Sequence, residues 1–162
     1  MTKSEKAAAL FQEGWNCAQA TMLPFAEDFG LPADFVKKAA AGFGGGMGGC
    51  RMTCGAVSAM VFYAGLTLGN YAPDNIAAKT HLYRRVQTLV QEFRNQFGST
   101  ECMQLLRNAG ITPQSDPSPR TAEYYAARPC ASFIAQAAGW IQEKLLSEDI
   151  LTEDPEIPSM HE

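Results

Sequence analysis

Between Gly42 and Ala59 the chain reads GFGGGMGGCRMTCGAVSA, with six glycines ahead of Cys50 and two cysteines before the sequence turns apolar. No regular helix or strand tolerates such a run, because each glycine adds backbone entropy and offers no side chain to pack. The segment must therefore be a loop that uses positive φ angles and brings bare backbone close to a bulky neighbour. Gly44, Gly46 and Gly49 formally satisfy G-x-G-x-x-G. The preceding FVKKAAAGF reads as helix rather than strand, and no Gly-Lys-Ser/Thr follows, so a nucleotide-binding loop is not expected. The amides of such a loop suit a different task, which is wrapping N–H groups around an anionic centre.

Everything around the loop reads as helix. Thr2 and Glu5 have the spacing of a capping box ahead of an Ala-rich run, and Gly14 is expected to interrupt that helix. From Trp15 to Phe29 apolar residues recur at helical spacing, with Pro24 kinking or dividing the segment. Pro32 falls in the first turn of a third helix that Gly42 would stop. After the loop, Cys54 to Leu68 is uncharged and too long for a typical strand, which marks it as the central buried helix. From Asn75 to Phe97 the set Ile76, Leu82, Tyr83, Val86, Leu89, Val90, Phe93 and Phe97 keeps a 3.6-residue period, with Arg84, Arg85, Gln91, Glu92 and Arg94 placed on other faces. Ser99 or Thr100 can cap a short helix from Cys102 to Asn108, TPQSDPSPR forms a loop, and a final helix starts near Pro129 and runs to about Ser147. The expected fold is all-α: a compact single-domain helical bundle over residues 1–147, with a Gly-rich loop before a central buried helix and an acidic, loosely ordered tail over 148–162.

Charge narrows the function classes. The formal net charge is −4, but Glu148 to Glu162 holds six acids and no Lys or Arg, which leaves the body nearly neutral. No basic stripe points to nucleic acid. The N-terminal MTKSEKAAALFQEG lacks a long apolar stretch and does not read as a secretory signal, and the run from Ala56 to Gly69 is too short to span a bilayer. The working expectation is a cytoplasmic protein without nucleic-acid or membrane partners.

In a reducing cytosol, the five cysteines Cys17, Cys50, Cys54, Cys102 and Cys130 are expected to be buried, metal-binding or catalytic rather than a disulfide framework. Cys54, Cys102 and Cys130 fall at predicted helix starts, where unpaired N–H groups and the helix dipole favour a thiolate as nucleophile or ligand. Cys17 reads instead as lying inside an early helix. Cys50 and Cys54 form a C-x3-C, a weaker sign than a C-x2-C knuckle. From Cys17 onward, Cys54, Cys102 and Cys130 are separated by 36, 47 and 27 intervening residues, so any common site must be assembled by the tertiary fold. Arg51 can offer positive charge beside Cys50 and Cys54, whereas His81 and His161 belong to no zinc, haem or Ser/His/Asp pattern.

The order of motifs, with NCAQA at Asn16 to Ala20, GFGGGMG at Gly42 to Gly48, CGAVSA at Cys54 to Ala59, and the later Cys102 and Cys130, resembles the C_GCAxxG_C_C family of redox-active proteins over roughly Trp15 to Ala138. The resemblance implies that Cys17, Cys54, Cys102 and Cys130 are the family's four characteristic cysteines. Similar domains are joined to haem-bearing segments in split-Soret cytochromes, where an iron–sulfur centre accompanies the haems. Without C-x-x-C-H the haem part does not carry over. Ala59 stands where the family's Cys-Gly-Ala-x-x-Gly ends in glycine, and Cys50 is an additional thiol.

The leading expectation is an electron-transfer protein whose Cys17, Cys54, Cys102 and Cys130 hold an iron–sulfur cluster of the [2Fe–2S] type. Gly44, Gly45, Gly46, Gly48 and Gly55 would supply amides or close packing around it, and the partner would be another redox protein. The alternatives are a metal-free thiol–disulfide oxidoreductase with Cys54 as attacking thiol and Cys50 as resolver, a structural zinc site, or a helical interaction module with merely buried cysteines. A homo-oligomer is compatible with each.

Overall fold

The structure, a computed structural model, describes residues 1–147. The acidic tail expected over 148–162 lies outside them. Local chemistry accounts for most helix boundaries. α1 (Lys3–Gln12) opens on the expected capping box: the Thr2 hydroxyl accepts from the Glu5 amide (3.1 Å) and the Glu5 carboxylate accepts from the Thr2 amide (2.7 Å). α2 (Cys17–Met22) opens on a second such box, in which Asn16 and Gln19 exchange bonds of 2.9 and 3.2 Å. Pro24 then ends regular α geometry in a short 3-10 turn, Leu23–Phe25. α3 (Ala33–Ala41) stops at Gly42 as expected, with Pro32 just outside its first turn.

The glycine loop folds into a single turn, α4 (Gly44–Met47), whose handedness is reversed at its centre. Gly45 to Gly49 all carry positive φ, between 57° and 83°, and Met47 shares that conformation without being glycine. Only a glycine-rich sequence reaches this backbone cheaply. The turn leads into α5 (Gly55–Leu68), which packs against α2, the long α6 (Ile76–Phe97) and the last helix α9 (Cys130–Leu145). α9 in turn lies along α1. Between them come α7 (Cys102–Asn108) and α8 (Ala122–Ala127). Among the described residues there is no strand, only an isolated antiparallel bridge between Thr53 and Glu101.

The core has two aromatic foci. Tyr63 of α5 is fully buried, stacks on Phe29 with ring centroids 4.4 Å apart, and donates its hydroxyl to the Met22 carbonyl at 2.6 Å. Phe93 and Phe97 of α6 meet Phe133 of α9, at centroid distances of 5.8 and 4.8 Å, and Trp140 closes the same cluster. Among the described residues, no helix is long and apolar enough to cross a membrane.

Four details depart from the sequence reading. α5 is central but not enclosed on every side, since Val61 and Leu66 stay exposed and Val61 edges a groove shared with Leu82 and Tyr83 of α6. Arg85, expected on an outer face, is buried, because it lies four residues before Leu89 and so on the same stripe of the helix. α8, unpredicted, forms where Thr121 caps the Tyr124 amide at 3.2 Å. Cys17 is the first residue of α2 rather than an interior one.

Candidate functional site

The last correction changes the pattern of the cysteines. Cys17, Cys102 and Cys130 are the first residues of α2, α7 and α9, and Cys54 is the residue immediately before α5. Four separate segments thus deliver one thiol each from a helix start, and the packing of those segments sets where the sulfurs go.

Backbone pairing fixes two of them. On either side of the Thr53–Glu101 bridge, the Cys54 amide donates to the Thr100 carbonyl at 2.8 Å and the Cys102 amide to the Met52 carbonyl at 2.6 Å. Glycine lets backbone approach two of the cysteines closely. A Cβ on Gly46 would stand 2.7 Å from the Cys102 Cβ, and one on Gly55 would stand 3.1 Å from the Cys17 Cβ and 2.9 Å from the Ala18 nitrogen. Any larger residue at either position would push a cysteine-bearing segment away. Gly49 allows the 110s loop to approach, since its Cβ would fall 2.0 Å from the Ser115 carbonyl oxygen.

The result is a cavity of about 280 Å³ with Cys17, Cys102 and Cys130 on its walls. Gly44, Gly45, Gly48 and Gly49 form part of the lining, while Gly46 and Gly55 serve the close packing behind it. Cys54 is buried and does not line the cavity, but it is close enough for its charge to couple to those of Cys17, Cys102 and Cys130. Cys50 is exposed and outside the lining.

The thiols are electrostatically unequal. The Cys130 thiol is placed to donate to the Cys17 sulfur, and that interaction, helped by the Gly45 amide and the charge of Arg120, lowers Cys17 to about 6. The same interaction, then burial, pushes Cys130 up, since it keeps its proton to donate to the Cys17 thiolate. Burial, with the Cys17 charge added, raises Cys54 despite the amides of Ala56 and Val57. Cys102 is raised by burial and partly compensated by Arg51, whose Nη1 donates to its Sγ at 3.5 Å. The metal-free alternative drawn from the sequence gave the attacking thiol to Cys54 with Cys50 as resolver; the structure buries the first, exposes the second and lowers Cys17 instead. Arg51 serves Cys102 rather than Cys50 and Cys54.

Three cavity residues carry charge that the sequence reading did not single out for this site or placed elsewhere: Arg51, Arg120 and Arg128. Arg51 is anchored by Nε and Nη2 donating to the Gln114 carbonyl at 2.9 and 2.6 Å. Among the described lining residues there is no Asp or Glu. Arg120 and Arg128 flank α8, and the signal that could have revealed them was the Thr121 cap, which turns an apparent Pro-rich loop into a short helix ending beside Cys130.

No group of three His, Cys, Asp or Glu side chains among the described residues is arranged to clasp a single metal ion. The donor set nonetheless offers four thiols, a cavity whose charged residues are all cationic, and N–H donors from Gly45 and Arg51 already directed at sulfur.

A family model described as "Putative redox-active protein (C_GCAxxG_C_C)" matches residues 15–144. Searches of curated proteins and of solved structures return no match.

Proposed function

Because the chain belongs to the C_GCAxxG_C_C redox-active protein family, matched over residues 15–144, we propose that Cys17, Cys54, Cys102 and Cys130 form its redox centre and hold a [2Fe–2S] cluster that exchanges electrons with a protein partner in a reducing, cytoplasmic setting. The observation that carries this reading is the convergence of four thiols from four segments beside one cavity. Collecting scattered cysteines at one place serves no packing need, since any small apolar residue would fill such positions.

A tetrahedral zinc ion needs all its sulfurs about 2.3 Å from one point, and among the described residues no three side chains are so placed. The four thiolates of Cys17, Cys54, Cys102 and Cys130 would match the ligand set of a two-iron cluster. When bound, it would supply one-electron chemistry. The chain's own contribution is to hold negative charge: the Gly45 amide and Arg51 donate to sulfur, Arg120 and Arg128 add positive potential, and burial of Cys54 keeps water from its side of the site. Positive potential of this kind favours the more negative, reduced state.

The pairing of Cys17 with Cys130 on one cavity, which lowers the first thiol and raises the second, favours a second reading, metal-free thiol–disulfide exchange. The Cys17 thiolate would attack one sulfur of an external disulfide and release the other as thiolate. Cys130 would then displace the first, giving a Cys17–Cys130 disulfide and two external thiols, with two electrons passed outward.

Iron and acid-labile sulfide analysis, with a visible spectrum, on protein purified without oxygen separates the two. Equal iron and sulfide with charge-transfer bands is expected. Their absence, together with a Cys17–Cys130 disulfide after mild oxidation, would overturn the cluster and establish the exchange reading.

A further inference from the structure

The cavity beside the thiols holds more positive charge than the protein itself neutralises. Arg120 and Arg128 place their Cζ atoms 4.7 and 4.5 Å from the centroid of the same Tyr124 ring, so two like charges share one aromatic support. Neither has a carboxylate partner among the described residues. Their contacts to protein acceptors are long: Arg120 Nη2 reaches the Trp15 carbonyl at 3.5 Å and Arg128 Nη2 reaches the Ser118 hydroxyl at 3.4 Å. Arg51 differs, because its guanidinium is committed to Gln114 and Cys102. Two planar forks with donors to spare, on one wall of a cavity without acids, match the geometry by which arginine recognises carboxylate and phosphate.

We propose that this cavity binds a small molecule through a carboxylate or phosphate group held by Arg120 and Arg128. The volume, about 280 Å³, suits a ligand near the lower end of typical small-molecule pockets. Ser115 and Ser118 provide neutral hydroxyls along the same lining. Anion binding by the two arginines goes beyond the function proposed above and does not depend on it.

The test is titration of the reduced full-length chain, as purified and after chelation, with inorganic phosphate and, separately, succinate, each against sodium chloride of equal ionic strength. Calorimetry and the rise in Tm are the readouts. A saturable effect from one titrant identifies the group preferred, and Arg128→Gln and Arg120→Gln are each expected to weaken it about tenfold, the loss of one charge-assisted pair. Circular dichroism checks that the variants fold. Arg128→Lys, which keeps the charge and loses the fork, should fall between wild type and Arg128→Gln. Effects that chloride reproduces, or saturable binding that none of the variants changes, would overturn the proposal. Variants that lose iron and sulfide in a protein that binds neither anion would assign the arginines to the thiols alone, sinking this inference and leaving the cluster intact.

Discussion

The cluster of Phe93, Phe97, Phe133 and Trp140 and the cysteine cavity are built by opposite rules. The first joins two long helices through side-chain volume, with ring centroids from 4.8 to 6.4 Å apart and conventional helical backbone. The second joins helix starts through backbone, using a run of positive φ angles, a single β-bridge and glycines that admit neighbours closer than a Cβ would allow. One region is specified by apolar bulk and the other by its absence. Stability and chemistry are thus drawn from different parts of the chain, and each can be perturbed separately.

Phe93→Ala should break the first region and spare the second. Loss of this fully buried ring is expected to cost about 3–5 kcal/mol in denaturant unfolding, while the order of cysteine reactivity under native conditions stays unchanged. Should that order collapse with the core, the two regions would be one cooperative unit.

The next effect sharpens the contrast within the site. In reduced, metal-free protein at pH 7, Cys17 should be alkylated about 100-fold faster than Cys54, the ratio expected when one thiol is mostly ionised and the other almost entirely protonated. The lowered Cys17 is thiolate above about 6 and loses that reactivity as pH falls through 6. Mass spectrometry of quenched samples from pH 5 to 9 reads both sites, and Cys130→Ala should move the Cys17 profile toward higher pH by removing the hydrogen-bond donor.

Gly46→Ala attacks the second region's rule directly. With φ of 64° and the Cys102 Cβ 2.7 Å from the new methyl, a destabilisation of about 1–3 kcal/mol is expected from backbone strain. Because the segment carrying Cys102 must shift, its alkylation rate should rise even where the protein remains folded.

The smallest effect belongs to the helix that carries Tyr124. Thr121→Ala removes its cap and should cost about 1 kcal/mol, seen as faster hydrogen exchange at the Tyr124 amide with α1 unaffected.

Much of the fold was legible because helix signals are local. The Thr2–Glu5 box, the stop at Gly42 and the long helix into Phe97 each appear in the structure as read, although Ile76 and Tyr83 of that helix's apolar set stay exposed, on the side turned away from Leu89 and Phe93. The Asn16–Gln19 box has the same form and would have placed Cys17 at a helix start, but the apolar spacing around it drew attention to the helix interior instead. Arg85 was misplaced by weighing residue type over angular position, and α8 was hidden by the prolines before its cap.

By itself, then, the sequence determined an all-helical chain, a reversal at the glycines and four cysteines of the right kind in the right order, since propensity, capping and handedness act over a few residues. Only the tertiary structure decided that Cys17 meets Cys130, that Cys54 lies behind them, and that arginines from the loop at Arg51 and both ends of α8 share their cavity. Those choices depend on how helices pack across separations as long as the 113 residues from Cys17 to Cys130, where no local preference of the backbone can reach.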